Sequence, residues 1–305
     1  MCRIFFIFDT KFNINLFFEY INKHYYYMLI TVVTACYNSE RYISENITSI
    51  FKQSYQNFEQ IIIDKLSSDR TIDIANELYT KHESNNKLKI FSQLDNGIAD
   101  AFNKGIQHAS GDIITFLNSD DKYFTNNVFE RVVEVFINYG QTLFVHGNVF
   151  FEDPAYGSFI KTPRGKTLRD GMIFNHPTMF YKKKLFTEFD CFNTAFKFSM
   201  DFEHLCRLET KIPDLLNLSK YLDNPPLVYM RYGGATWEFP IKALNETKKC
   251  LKSLELWNMR AKTIFLLNVF KTYFKKILLL FHLNSLLGKI RKIKWKYLTY
   301  NHFKT

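Results

Sequence analysis

The chain has no glycine-rich phosphate loop, no paired cysteine spacing and no uncharged apolar run of membrane-spanning length. After its first apolar strand the sequence reads TACYNSE rather than G-x-G-x-x-G. A dinucleotide pyrophosphate would therefore not find the close backbone approach that glycines allow. No G-x-x-x-x-G-K-[ST] loop, H-E-x-x-H pair or G-x-S-x-G elbow occurs either, which removes P-loop nucleotidases, zincins and α/β-hydrolases on their own signatures. Five cysteines (Cys2, Cys36, Cys191, Cys206, Cys250) are odd in number and show no metal spacing, as expected of reduced cytosolic thiols. The longest uncharged stretch of the C-terminal region, Ile277 to Gly288, falls short of the roughly 20 apolar residues that span a bilayer. Three Asn-x-Ser/Thr triplets, at Asn46, Asn217 and Asn245, are frequent by chance and carry no weight.

What is present is an aromatic-rich chain of 305 residues, with 32 Phe and 18 Tyr, enough for one large α/β domain plus an appendage. Its net charge of +10 is unevenly placed: residues 237–305 hold 15 Lys/Arg against 3 Glu, whereas residues 1–236 hold 25 basic and 27 acidic groups. Residues 1–27 are apolar in patches but carry Asp9, Lys11, Glu19 and Lys23, with no small-residue cleavage site. They make a poor signal peptide. The expectation is an N-terminal extension of doubtful authenticity with Met28 as the true start, the alternative being a short interfacial helix.

From Met28 short apolar runs alternate with helical periodicity. LITVVT (29–34), EQIIID (59–64), KLKIFSQ (87–93) and DIITFLN (112–118) read as strands. Residues 39–53, a segment N-capped by Asp69, and residues 98–108 read as helices. Such alternation predicts a mostly parallel sheet with ligands at the carboxyl ends of its strands. Those ends are polar: Thr34, Asp64, nearby Asp95, and Asn118-Ser119-Asp120-Asp121. In FLNSDDKYF a strand delivers two adjacent carboxylates, which suit a hard divalent cation or cap a helix beginning near Thr125. In FSMDFEHLCRL, Asp201 starts a helical run whose core stripe is Phe202, Leu205 and Leu208. It suits the helix N-terminus and equally a general base, with Glu203 as its rival.

The ordered succession VVTACYNSERYISENITSIFKQSYQNFEQIIID, SSDRT, DNGIADAFNKGIQHASGDIITFLNSDD, HPTMFYKK and SMDFEHLCRL resembles the family 2 inverting glycosyltransferases that build bacterial surface polysaccharides. The likeness runs over about residues 29–234. It implies a GT-A-type, Rossmann-like α/β domain over 28–236, with a nucleotide-binding half (28–124) and an acceptor half (125–236); residues 237–305, beyond the likeness, read from their own composition as a basic amphipathic helical tail. It implies an enzyme that moves a hexosyl or N-acetylhexosaminyl group, with inversion, from a nucleotide-sugar (UDP-linked by expectation) to a glycan or lipid-linked glycan. By the same resemblance Thr34, Ala35, Tyr37 and Asn38 contact the nucleoside, and Asp64 the base. Asp95, Asp100, Asn103 and Lys104 line donor sugar and diphosphate, together with Ser119. Asp120, assisted by Asp121, holds Mn2+ or Mg2+, and Asp201 is the catalytic base. The family usually has Asp at the place of Asn118 and Gly at that of Lys65. Lys65 is the sharper departure, because glycine there permits positive φ. Arg231 and Tyr232 match a loop near the diphosphate. His176 reads as a distal metal or phosphate contact or as a buried, hydrogen-bonded side chain, and Arg207 as an ion-pair partner within a helix.

From Arg260 onward lysines interrupt Phe, Leu and Trp295, a pattern that suits helices lying on an anionic leaflet or a soluble helical cap. Nucleic acid is not expected as a partner, since no recognition fold accompanies the charge. The expectation is a cytoplasmic protein peripheral on the inner face of the cell membrane. Two rivals stay open: a nucleotidyltransferase, and a non-catalytic nucleotide-sugar-binding descendant.

Overall fold

The computed structural model describes residues 28–84, 87–152, 158–163, 165, 167–231, 233 and 238–280. The N-terminal extension, the question of Met28 as the start, Tyr232 and tail residues 281–305 lie outside the described residues. The first half runs β1 (Ile30–Cys36), α1 (Ile43–Phe51), β2 (Phe58–Asp64), α2 (Thr71–Lys81), β3 (Leu88–Ser92), α3 (Ile98–His108) and β4 (Ile113–Phe116). β1 and β2 pair in parallel from Ile30↔Phe58 to Cys36↔Asp64, and β4 joins the other side of β1 in parallel. Both faces of β2 are covered, so all seven of its residues are buried, as a continuous apolar run in a parallel sheet requires. Its buried Glu59 is matched by the Thr31 hydroxyl at 2.6 Å, the Ser110 amide at 2.6 Å and the Lys89 ammonium at 2.8 Å.

The second half adds β5 (Lys122–Tyr123), α4 (Val128–Asn138), β6 (Phe144–Gly147), β7 (Val149–Glu152), β8 (Phe159–Lys161), β9 (Phe180–Lys182), α5 (Lys184–Thr187), α6 (Met200–Lys211), β10 (Ser219–Leu222), β11 (Val228–Arg231), α7 (Pro240–Ser253) and α8 (Met259–Leu280). The main sheet has the order β10-β6-β9-β4-β1-β2-β3, and a smaller one the order β5-β11-β7-β8. β9 lies antiparallel between β4 and β6, so the sheet is mostly, not wholly, parallel.

Three helix starts differ from the sequence expectation. α1 begins at Ile43 because Ser39 to Tyr42 form a turn closed on the Ser39 carbonyl. α2 begins at Thr71, and Asp69, outside the helix, accepts the Thr71 amide at 3.0 Å and the Glu40 amide at 3.0 Å. The helix expected near Thr125 opens at Val128, where the Gln53 side chain accepts the Phe129 amide at 3.1 Å. α3 spans 98–108 as its periodicity predicts, and Gly105 lets it settle on β1: a Cβ there would stand 2.2 Å from a Val33 methyl. α7 is no free appendage. Its Cys250 and Leu251 belong to the same buried cluster as Phe202, Leu205 and Leu208 of α6.

Candidate active site

The carboxyl ends of β1, β2 and β4 lie side by side, and their loops are tied to one another. The Asn38 side chain accepts the Ser68 amide at 2.9 Å, and the Asn38 amide donates to the Ser67 hydroxyl at 2.9 Å. Asn38 itself sits at φ +47°, a conformation Asn tolerates better than most residues. The Ser39 and Ser119 hydroxyls meet at 2.8 Å, joining the loop after β1 to the one after β4. Tyr37 projects outward from this floor, 59% exposed and available to a planar ligand.

The loop Asn118–Asp121 is held from below by a buried polar chain. Asn46 on α1 donates to the carbonyls of Asn118 (2.9 Å) and Asp121 (3.0 Å). Its own oxygen accepts from Gln60 (3.0 Å), which also donates to Thr34 (2.9 Å) and accepts from Tyr79 (2.6 Å). Asn46 is fully buried, so its triplet is structural. From above, Arg231 donates to the Asp120 carbonyl at 2.7 Å and pairs with Glu45 at 2.7 Å. Satisfied networks of this kind rigidify what they hold. Thr34 is accordingly buried, its hydroxyl engaged with Gln60 rather than turned toward a ligand.

Asp120 is part-buried, and burial pushes its carboxyl above the usual carboxylate range. Burial, and then the neighbouring charge of Asp120, push Asp121 well above it too. One oxygen of Asp121 and the side-chain oxygen of Asn118 are buried with no hydrogen-bond partner. Desolvated carboxylates with unmatched oxygens fit a hard cation. Among the described residues no cluster of three or more His, Cys, Asp or Glu forms, so further oxygens would have to come from a ligand.

Asp64 ends β2 almost fully buried and accepts the Ser67 amide through both oxygens, at 3.2 and 3.1 Å. Leu66, not Lys65, takes the left-handed conformation, at φ +54°. Lys65 therefore bears no such strain. Its ammonium reaches Asp95 at 3.4 Å and bridges the loops after β2 and β3. Asp95 also accepts the Gly97 amide at 2.8 Å, and Asp100 accepts the Asn96 amide at 2.9 Å while pairing with Lys104 at 3.2 Å. The Asn103 amide is spent on a two-way bond with the Phe192 backbone, at 2.8 and 2.9 Å. It clamps the segment before α6 to α3.

Asp201 lies in the first turn of α6 and accepts the amide of Phe202 at 2.8 Å. Its neighbours are His176 and Tyr181: burial pushes the His176 imidazole down while the Asp201 charge pulls the other way. His176 leaves Nε2 without a hydrogen bond and stacks 5.6 Å from Phe116, the last residue of β4. That contact links the Asp201 region to the Asn118–Asp121 loop. Glu203 is buried and ion-paired to Arg207 at 3.0 Å, and Arg207 is fixed by the carbonyls of Phe189 (2.6 Å) and Cys191 (2.7 Å).

Glu246, on α7, bears on Asp201 from far along the chain. Its carboxylate accepts the amides of Lys197 (2.9 Å), Phe198 (2.7 Å) and Ser199 (3.0 Å). Ser199, the N-cap of α6, makes no side-chain cap and donates its hydroxyl to the Ala243 carbonyl at 3.0 Å. A downstream carboxylate thus fixes the turn that leads into α6, at the end of the dipole that favours negative charge. Glu246→Ala is expected to lower stability by about 2 kcal/mol in denaturant unfolding, with Glu246→Gln intermediate. An unshifted midpoint in both variants would mean that water serves those amides equally well.

The sheet is the mostly parallel α/β layer of a glycosyltransferase-like fold, and the sequence profile of glycosyl transferase family 2 matches residues 31–204. The chain belongs to that family. It is 38% identical over 126 residues, 41% of this chain and 48% of the other, to an uncharacterized glycosyltransferase of Haemophilus influenzae. Over 135 residues (43% of this chain, 51% of the other) it is 32% identical to the UDP-Glc:alpha-D-GlcNAc-diphosphoundecaprenol beta-1,3-glucosyltransferase WfgD of Escherichia coli. The chain spans about half or less of the length of these curated relatives. In fold it matches residues 1–349 of Staphylococcus aureus TarS, solved in complex with UDP. The TM-score is 0.57 and the identity 20%, over 78% of this chain and 70% of that one.

Proposed function

We propose that the protein is an inverting glycosyltransferase of glycan or surface-polysaccharide synthesis, using a UDP-linked hexose or N-acetylhexosamine and a glycan or lipid-linked glycan acceptor. The observation that carries this is the Asn118–Asp121 loop, two desolvated carboxylates fixed at the end of a parallel strand. WfgD, named for a UDP-Glc donor and a diphosphoundecaprenol-linked acceptor, and TarS, solved with UDP, support the choice of donor and acceptor. Asp120, with Asp121 behind it, would hold Mn2+ or Mg2+, which when bound offsets the charge growing on a departing diphosphate.

Asp201 takes the proton from the acceptor hydroxyl. The acceptor oxygen bonds the anomeric carbon on the face opposite the nucleotide, and the bond from that carbon to the diphosphate oxygen breaks. One displacement inverts the centre. Tyr37 supplies an exposed ring to the base, and Lys65 sets the loop that carries Asp95.

The test is a thermal-shift screen of UDP-, GDP- and dTDP-sugars with Mn2+. Transfer to a lipid-diphosphate-linked sugar follows, with the product anomer read by NMR. Stabilisation by a UDP-sugar and an inverted product are expected. Binding without turnover on any acceptor would leave a non-catalytic binder, and pyrophosphate release from a nucleoside triphosphate and a sugar phosphate would make it a nucleotidyltransferase.

A further inference from the structure

No described helix is long and apolar enough to cross a membrane, yet α8 exposes a continuous apolar face. Leu266, Leu267, Phe270, Tyr273, Phe274 and Ile277 are each at least 48% exposed. At about 100° per residue these six fall within one stripe about 120° wide, the width of a face that ordinarily meets a core. Phe270 and Phe274 stack along it, with ring centroids 6.0 Å apart. The opposite side of α8 is engaged with the body, where Ala261 is buried and Phe265 packs edge-on to Trp257 at 5.6 Å, and in the first turn Arg260 grips both oxygens of Asp170 at 2.7 and 2.9 Å. The stripe is therefore presented on a helix fixed to the catalytic domain.

Charge decides what can cover it. By helical angle Lys262 and Lys276 border the stripe on one side and Lys271 on the other, and all three are exposed. No Asp or Glu occurs anywhere from residue 256 to residue 305. Residues 281–305, which lie outside the described residues, carry six Lys/Arg and no acid, so folding that segment back onto the stripe would juxtapose like charges. A second copy meeting the first stripe to stripe would do the same.

We infer that this face of α8 docks on an anionic lipid surface, with Phe270 and Phe274 seated among the acyl chains and the flanking lysines at the headgroups. Docking through a helix anchored by Arg260 and Asp170 would hold the domain in one orientation against the leaflet. The inference concerns binding alone and does not depend on the transfer reaction.

Sedimentation of the full chain with vesicles of roughly three parts phosphatidylglycerol to seven phosphatidylcholine, against phosphatidylcholine alone, tests it. At about 1 kcal/mol per lysine near the surface, binding to the anionic vesicles is expected to be at least about tenfold tighter and to weaken with salt. Phe270→Ser/Phe274→Ser and, separately, Lys271→Glu/Lys276→Glu are each expected to weaken it about tenfold or more. All four positions are exposed, so unchanged melting should accompany the loss. If the serine variant fails to fold, the glutamate variant decides alone. Equal binding to both vesicle types, or undiminished binding by the variants, overturns the inference. A concentration-dependent dimer that the serine variant dissolves in the absence of lipid overturns it in favour of a second copy.

Discussion

Asp201→Asn is expected to lower the transfer rate constant by about a thousandfold, within the range that a positioned base contributes, while nucleotide affinity stays unchanged. The substitution is isosteric. Its remaining oxygen can still accept the Phe202 amide, now 2.8 Å away, so the helix start should survive. What would be lost, on the role proposed for Asp201, is the capacity to take a proton from the acceptor hydroxyl. Transfer is read as UDP release that depends on acceptor, and affinity by calorimetry. The adjacent carboxylate is no substitute, because Glu203 is buried and committed to Arg207 at 3.0 Å. Glu203→Gln should therefore show mainly as lost stability. Near-normal turnover by the Asp201 variant would remove Asp201 from the chemistry.

The second large effect is expected at Asp120. Asp120→Ala should abolish the gain in UDP affinity that Mn2+ brings, about a hundredfold on the scale of losing a charged ligand group, and transfer should go with it. Unfolding would not explain the loss. Burial already disfavours the ionised Asp120 carboxyl, raising it above its ordinary range, so its removal at neutral pH relieves a cost of folding. The metal-free variant should melt at or above the wild-type temperature. Calorimetric titration of UDP with and without Mn2+ checks this, and an undiminished Mn2+ effect would place the cation elsewhere.

The sheet was legible where chemistry and periodicity coincide. Four apolar runs ending in polar residues mark β1 to β4, and α3 needs no more than its own period. The partners of the polar residues were not legible. Asn103 and Thr34 stand in the positions expected of ligand contacts, but Asn103 is spent on Phe192 and Thr34 on Gln60. A linear reading cannot show which hydrogen-bond donor is already taken. Asn46 looked like a chance glycosylation triplet, and Gln60 lies within a run read only as a strand. Their pairing becomes visible only once α1 is laid on β2. The apolar residues after His176 are β9, and what a linear reading leaves open is its antiparallel place between β4 and β6, both distant in sequence. The lysine after Asp64 raised a question of strain, and the backbone answers it by passing the left-handed turn to Leu66.

The three amides gathered by Glu246 bear on how such enzymes trade parts. The profile shared across the family ends at residue 204, inside α6, and the carboxylate that completes the start of α6 arrives more than forty residues later. A chimera that grafted another C-terminal segment at that border would inherit a turn before α6 with its amides open. It would work only where the new segment brought an anion to the same spot. The border drawn by sequence likeness is thus not a border of exchange, and the interchangeable unit of this protein includes α7.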